Sequence, residues 1–158
     1  MKIGKTNAMR ILDGQKISYE VGSYDTKDGK IDGLSVAEKL NEDPEIVYKT
    51  LVTKGQSGNI YVFVVPSNKE LDLKKGAKAC GEKKIDMVPL KDIQRLTGYV
   101  RGGCSPVGMK KEYVTFIDES ALRHERIIVS GGKVGIQIKI KVNDLQQVAK
   151  AKIIDVVK

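Results

Sequence analysis

Tryptophan is absent from this chain of 158 residues, phenylalanine occurs twice and histidine once. So few aromatic faces argue against a platform on which several bases could stack. Cysteine is almost as scarce. Cys80 and Cys104 are the whole supply, and a pair so placed in a chain without a secretory leader is expected to be reduced rather than bridged. With His124 as the sole imidazole and no CxxC or HxxxH spacing, Cys and His cannot assemble an ordinary zinc site. A metal-dependent mechanism is disfavoured, and no cofactor is expected. No run of 18 apolar residues is present, so no membrane span is expected. Met1 to Met9 alternate polar and apolar residues without an apolar h-region, which speaks against a secretory signal. The expected compartment is the cytoplasm.

The length suits one ordinary domain over residues 1–158, enough to bury roughly two-thirds of the surface of the unfolded chain. Hydrophobic residues make up 41% and charged residues 30%, the balance of a globular protein. Twenty-eight basic residues against twenty acidic ones give a net charge of +8, which favours polyanionic partners through counterion release. All the basic residues except the arginines at 10, 95, 101, 123 and 126 are lysines spread along the chain. Charge alone therefore leaves a solvated lysine-rich surface equally open.

Local patterns give a run of short elements. Thr6 to Gly14 reads as a capped helix, Ile17 to Tyr24 as a strand, and Ser35 with Glu38 as the capping box of a second helix that Asp43-Pro44-Glu45 ends. Val47 to Thr53 and Ile60 to Pro66 form a hairpin pattern across a Gly- and Ser-rich turn. Helices over Asp72 to Cys80 and Leu90 to Thr97, each closed by a glycine, flank a short strand at Ile85 to Val88. Strands are expected at Val114 to Asp118, Arg126 to Ser130 and Val134 to Ile140, with a short helix through Leu122 and a turn at Gly131-Gly132. Asn143 to Ala151 reads as a last helix and Ile153 to Val157 as a closing strand. Strands outnumber the gaps that could hold crossover helices, so a mixed α/β (α+β) fold is predicted, with a central, partly curled sheet flanked by short helices.

Three places could carry chemistry. In RGGCSPVG, Gly102, Gly103 and Gly108 let the backbone approach a ligand and aim N–H groups at an oxygen, although a tight surface loop would look the same. Ser105 lacks the GxSxG context, Pro106 has no N–H to contribute to an oxyanion hole, and nothing brings His124 to it, so a serine triad is disfavoured. Cys104 has no evident base and reads as a small apolar filler. In VYKTLVT, alternation puts Lys49 on a face with Val47 and Leu51, a costly place for an ammonium unless it binds an anion or polarises a carbonyl. Ser130-Gly131-Gly132 could contact a phosphate or form a plain hairpin turn.

Tyr24, the strand Val47-Tyr48-Lys49-Thr50-Leu51-Val52, Gly98-Tyr99, the loop from Gly102 to Gly108 and Ser130-Gly131-Gly132 together resemble the YbaK/EbsC family of Cys-tRNA(Pro) deacylases, in order and spacing, over nearly the whole chain. The resemblance implies a pocket built from that strand and that loop. It also implies action in trans on the ester joining a mischarged amino acid to the terminal adenosine of tRNA, sometimes beside prolyl-tRNA synthetase. Lys49 would grip the terminal nucleotide or the ester, and Gly102 would hold the aminoacyl group through its N–H. Tyr24, Thr50 and Ser130 would shape the pocket, with Gly103, Ser105, Gly131 and Gly132 among the substrate-binding residues. In the cysteine-specific branch the substrate's own thiol would attack its ester. Gly22 and Thr26 stand where many relatives have histidine, and Cys104 where they have Val or Ile. An alanyl-tRNA(Pro)-type deacylase and a non-catalytic tRNA-binding module are the alternatives.

Overall fold

A computed structural model describes residues 4–158, so the first residues of the Met1 to Met9 segment lie outside the described residues. Helix α1 (Asn7–Gly14) begins where the Thr6 hydroxyl accepts from the Met9 N–H at 3.2 Å, and it buries Ala8, Met9 and Leu12. Strand β1 (Tyr19–Ser23) follows. Helix α2 (Gly33–Leu40) starts two residues before the expected Ser35 box, because the Asp32 carboxylate takes both the Ser35 N–H (3.2 Å) and the Ser35 hydroxyl (2.7 Å). A side-chain oxygen that satisfies one of the first free N–H groups fixes a helix start.

Strands β2 (Tyr48–Gly55) and β3 (Ile60–Pro66) form the expected hairpin, with Lys49 opposite Val65 and Thr50 opposite Val64. Helix α3 (Leu73–Cys80) and strand β4 (Ile85–Met87) come next. The expected helix over Leu90 to Thr97 divides into a 3-10 turn (Leu90–Asp92) and α4 (Ile93–Thr97). Strands β5 (Val114–Asp118), β6 (Arg126–Lys133) and β7 (Ile136–Lys141), helix α5 (Val142–Ala149) and strand β8 (Lys152–Ile154) complete the order.

The strands form two sheets rather than one. One is antiparallel in the order β1-β7-β6; the other is mixed, in the order β4-β2-β3-β5-β8, with β3, β5 and β8 parallel. A single parallel bridge from Val47 to Ile128 joins them. Strand β3 is central in the larger sheet, and Val62, Phe63, Val64 and Val65 are fully buried on both faces, as a strand covered on both sides must be. One face stacks Phe63 on Phe116 with ring centroids 5.3 Å apart. The other packs Val64 and Ile117 against Ile127, Val129, Ile138 and Ile140 of the smaller sheet. At about 1.5–3 kcal/mol for each buried large apolar side chain, this double layer makes the β2–β3 pair a rigid base.

The Gly131-Gly132 turn is corrected by the strand register. Ser130 pairs with Gln137 and Lys133 with Ile136, so the two glycines form a bulge inside β6 and the chain reverses at Val134-Gly135. Glycine pairs mark bulges as readily as turns.

Candidate active site

The site grows from an interrupted ladder. Strand β4 pairs only with Thr53, Lys54 and Gly55, and a further bond from the Val88 N–H to the Val52 carbonyl (3.0 Å) ends the contact. Between that bond and the Val47–Ile128 bridge to β6, the Lys49–Leu51 stretch of β2 therefore has an open edge. In an antiparallel ladder successive residues point their backbone groups to alternate sides. Since the Val52 carbonyl faces the β4 side, the N–H and C=O of Thr50 face the same way, into the space beyond β4.

That space is a cleft of about 390 Å³. The start of α2, the Arg101–Cys104 loop and the end of β6 close around it. It gathers Lys49, Thr50, Gly102 and Ser130 from the expected set, and adds Asp32, Gly33, Ser67, Arg101, Cys104 and Gln137. A larger hollow of about 560 Å³ beside Ile11, Tyr113 and Val148 takes Pro106 and Gly108 from the glycine-rich loop but none of the expected catalytic or substrate-binding residues. Chemistry rather than volume marks the smaller one.

Three buried side-chain oxygens lack a hydrogen-bond partner among the described residues: Thr50 Oγ1, Ser67 Oγ and Tyr24 Oη. Two of them belong to residues that line this cleft. An unpaired buried hydroxyl costs about 1–3 kcal/mol, so two in one recess mark a place where a ligand completes the bonding. Ser67 sits directly under Gly33, where a β-carbon would fall 2.0 Å from its Oγ. Only glycine lets α2 begin there.

Lys49 is half-buried and makes no ion pair among the described residues. Burial lowers its pKa, and the field of Glu70 opposes that shift. Lys39 makes a contrast, because its ammonium is spent on the Asp25 carbonyl (2.6 Å), Asp28 (2.7 Å) and the Lys30 carbonyl (2.9 Å). Gly102 takes φ +81°, and its N–H donates to no backbone or side-chain acceptor among the described residues. The neighbouring Gly103 N–H is already taken by the Val100 carbonyl at 3.0 Å.

The other expected residues stand apart from the cleft. Ser105 is fully buried and its hydroxyl accepts from the Val107 N–H at 3.2 Å. Gly103 packs on the backbone of Lys133 and Val134. Gly131 and Gly132 face Ile136, Thr6 and Tyr99. Tyr24 is not among the residues that line the cleft; its N–H donates to the Gly135 carbonyl (3.0 Å), and the Lys39 ammonium lies 5.7 Å from its ring centroid. Cys104 lines the cleft as a neutral thiol, since burial pushes its pKa up to about 11. His124 lies beside Asp118 and Ser120 in another hollow. Among the described residues no three His, Cys, Asp or Glu side chains gather as a metal site would require, and no helix is long and apolar enough to cross a membrane.

Fold and cleft define a small α/β domain whose recess is floored by a cation and lined with hydroxyls, suited to the polar end of a larger ligand. The chain belongs to the aminoacyl-tRNA editing domain family, whose model matches residues 34–148, and is accordingly an aminoacyl-tRNA deacylase. Over 136 residues it is 47% identical to a protein of Enterococcus faecalis (strain ATCC 700802 / V583) named as a candidate Cys-tRNA(Pro)/Cys-tRNA(Cys) deacylase, EbsC; the match covers 86% of this chain and 83% of that one. The fold is shared with a candidate trans-editing enzyme for prolyl tRNA synthetase, at TM-score 0.83 and 21% identity over 99% of each chain. It is also shared with the hypothetical protein APE2540, at TM-score 0.88 and 19% identity over 97% of this chain and 100% of that one.

Proposed function

We propose that the protein clears cysteine wrongly attached to tRNA(Pro), and cysteine on tRNA(Cys) as well, acting in trans in the cytoplasm. The observation that carries this reading is a cleft with polarising groups in which, among the described residues, no histidine or unengaged carboxylate stands by to activate a hydroxyl. The Cys104 thiol is neutral, Ser105 is buried with its hydroxyl engaged, and His124 lies elsewhere. The substrate supplies the nucleophile instead. The cysteinyl sulfur forms a bond to its own ester carbonyl, the bond from that carbon to the ribose oxygen breaks, and the thiol proton passes to the departing ribose hydroxyl. The resulting thiolactone takes up water to give free cysteine. Lys49 and the Gly102 N–H stabilise the developing negative charge on the carbonyl oxygen, and the Thr50 and Ser130 hydroxyls hold the aminoacyl group in place.

Apolar pockets separate small side chains poorly, so a chemical test that only a thiol passes is an economical second sieve. Selection of tRNA(Pro) would come from a complex with prolyl-tRNA synthetase, because the +8 charge favours sequence-blind phosphate contacts. The test measures deacylation of tRNA(Pro) charged with cysteine, serine or alanine, and of Cys-tRNA(Cys), with and without the synthetase. Rapid loss of cysteine alone, and a shift toward tRNA(Pro) when the synthetase is added, is the expected result. Equal rates with alanine would instead indicate an alanyl-tRNA(Pro) deacylase, and no turnover a binding module.

A further inference from the structure

The cleft holds two cations of different character. Lys49 lies on its floor, half-buried; Arg101 lies at its lip and is exposed. Arg101 has no carboxylate within ion-pair distance and no hydrogen-bond partner among the described residues. Asp32, the one carboxylate that lines the cleft, is occupied as the cap of α2. Two further segments converge on the same lip. The Ile31 side chain reaches within 2.7 Å of the position a β-carbon would take on Gly102, and the Lys133 α-carbon within 3.1 Å of the corresponding position on Gly103. Lys30, next to Ile31, and Lys133 are exposed and likewise form no ion pair among the described residues. The other carboxylates of the Lys30 segment are engaged. Asp28 holds Lys39 and the Lys30 N–H, and Asp25 accepts from the Lys27 N–H.

We propose that Arg101, on a lip where the chain segments of Lys30 and Lys133 also converge, forms a phosphate site at the mouth of the cleft, which grips the phosphodiester between the last two nucleotides of the aminoacylated 3′ end. The proposal rests on the deacylase reading for the orientation of the ligand. An ester held over Lys49 and Gly102 puts its ribose at the mouth, and the first phosphate lies one sugar outward, where Arg101 stands. A guanidinium presents a planar fork that matches two phosphate oxygens at once. An exposed arginine keeps that fork free, whereas Lys49, partly desolvated, suits the uncharged ester. The cleft thus assigns its inner cation to the reacting carbonyl and its outer one to the nucleic acid backbone.

The test compares wild type with Arg101→Ala and Arg101→Lys on three cysteinyl esters: charged tRNA, cytidylyl-(3′→5′)-adenosine with one phosphodiester, and adenosine with none. Arg101→Ala should raise KM about tenfold or more on the first two, the cost of one charge-assisted hydrogen bond. It should leave kcat, the melting temperature and the adenosine ester unchanged. Arg101→Lys should recover part of the loss. Binding of the uncharged dinucleotide and of adenosine, followed by NMR titration, gives a readout independent of turnover. Wild type should prefer the dinucleotide, and Arg101→Ala should erase that preference. An equal loss on the phosphate-free ester, or an intact dinucleotide preference in the alanine variant, overturns the site. A wild type that prefers the dinucleotide yet hydrolyses no cysteinyl ester overturns the deacylase reading and leaves the phosphate site standing.

Discussion

Two polar regions lie near each other on the larger sheet and treat their buried groups in opposite ways. Around the end of β5, the buried Asp118 carboxylate accepts the N–H groups of Ser120 (3.1 Å) and Val156 (3.0 Å), and the Tyr48 hydroxyl meets Ser120 Oγ at 2.7 Å. Each of these groups has its partner. In the cleft beside β2, the Thr50 and Ser67 hydroxyls and the Lys49 ammonium have none among the described residues. The first region holds the fold together; the second bears a cost to fold stability that only a ligand recovers. Breaking each region should therefore damage a different property.

The largest effect is expected at Lys49. Lys49→Ala should lower kcat/KM by about 100-fold or more, on the scale of losing a preorganised charge-stabilising group, while far-UV dichroism and melting temperature stay as in wild type. Lys49→Met should be as inactive and equally stable or more so, because it removes a desolvated charge; a clear drop in its melting temperature would contradict the assignment. The converse case is Asp118→Ala, which orphans the buried Val156 N–H and the partly buried Ser120 N–H and should cost about 2–4 kcal/mol. Denaturant titration reads that loss, and the protein that remains folded should keep its kcat.

Gly102→Ala falls between the two regions. A side chain at φ +81° costs about 1–2 kcal/mol, and its β-carbon would press on Ile31 at 2.7 Å. Activity should fall about tenfold with a small loss of stability, and wild-type turnover would remove Gly102 from the site. The smallest effect belongs to Cys104→Val, which should leave turnover near pH 7 unchanged. The thiol titrates near 11 in the folded chain against 9 unfolded. Its contribution to stability is therefore complete below pH 9 and is lost as pH rises toward 11. Equilibrium unfolding across that window should show a shallower decline in the valine variant than in wild type; identical slopes would mean the thiol is not buried in solution.

Lys49 was a candidate in the sequence because it puts a charge on an apolar strand face, Gly102 because it lies in a glycine-rich loop, and the family resemblance gave both their proposed roles; the structure brings the two to one cleft. The hairpin, the succession of elements along the chain and the mixed fold class followed from alternation and turn residues, whereas the division of the strands into two sheets did not. Ser67, Gln137, Asp32 and Arg101 were not legible. Ser67 looks like any residue after a strand-ending proline, and Gln137 like an outward position in GIQIKIK. They become site residues only when β2, β6, β7 and α2 meet, which local patterning does not encode. The Gly131-Gly132 bulge was missed because its residues are the ones a turn would use, and only the pairing of Ser130 with Gln137 tells the two apart.

The open half of β2 has a consequence for how the protein behaves at high concentration. An unladdered strand is the usual place for a sheet to recruit a second chain. Here the unladdered stretch runs only from Lys49 to Leu51, carries a lysine and lies in a recess walled by the start of α2 and the Arg101–Cys104 loop. A flexible single-stranded end can thread into such a recess, whereas a pleated strand needs a straight lateral approach about 4.8 Å away and meets the walls first. The geometry that admits the ligand therefore also guards the chain against edge-to-edge self-association.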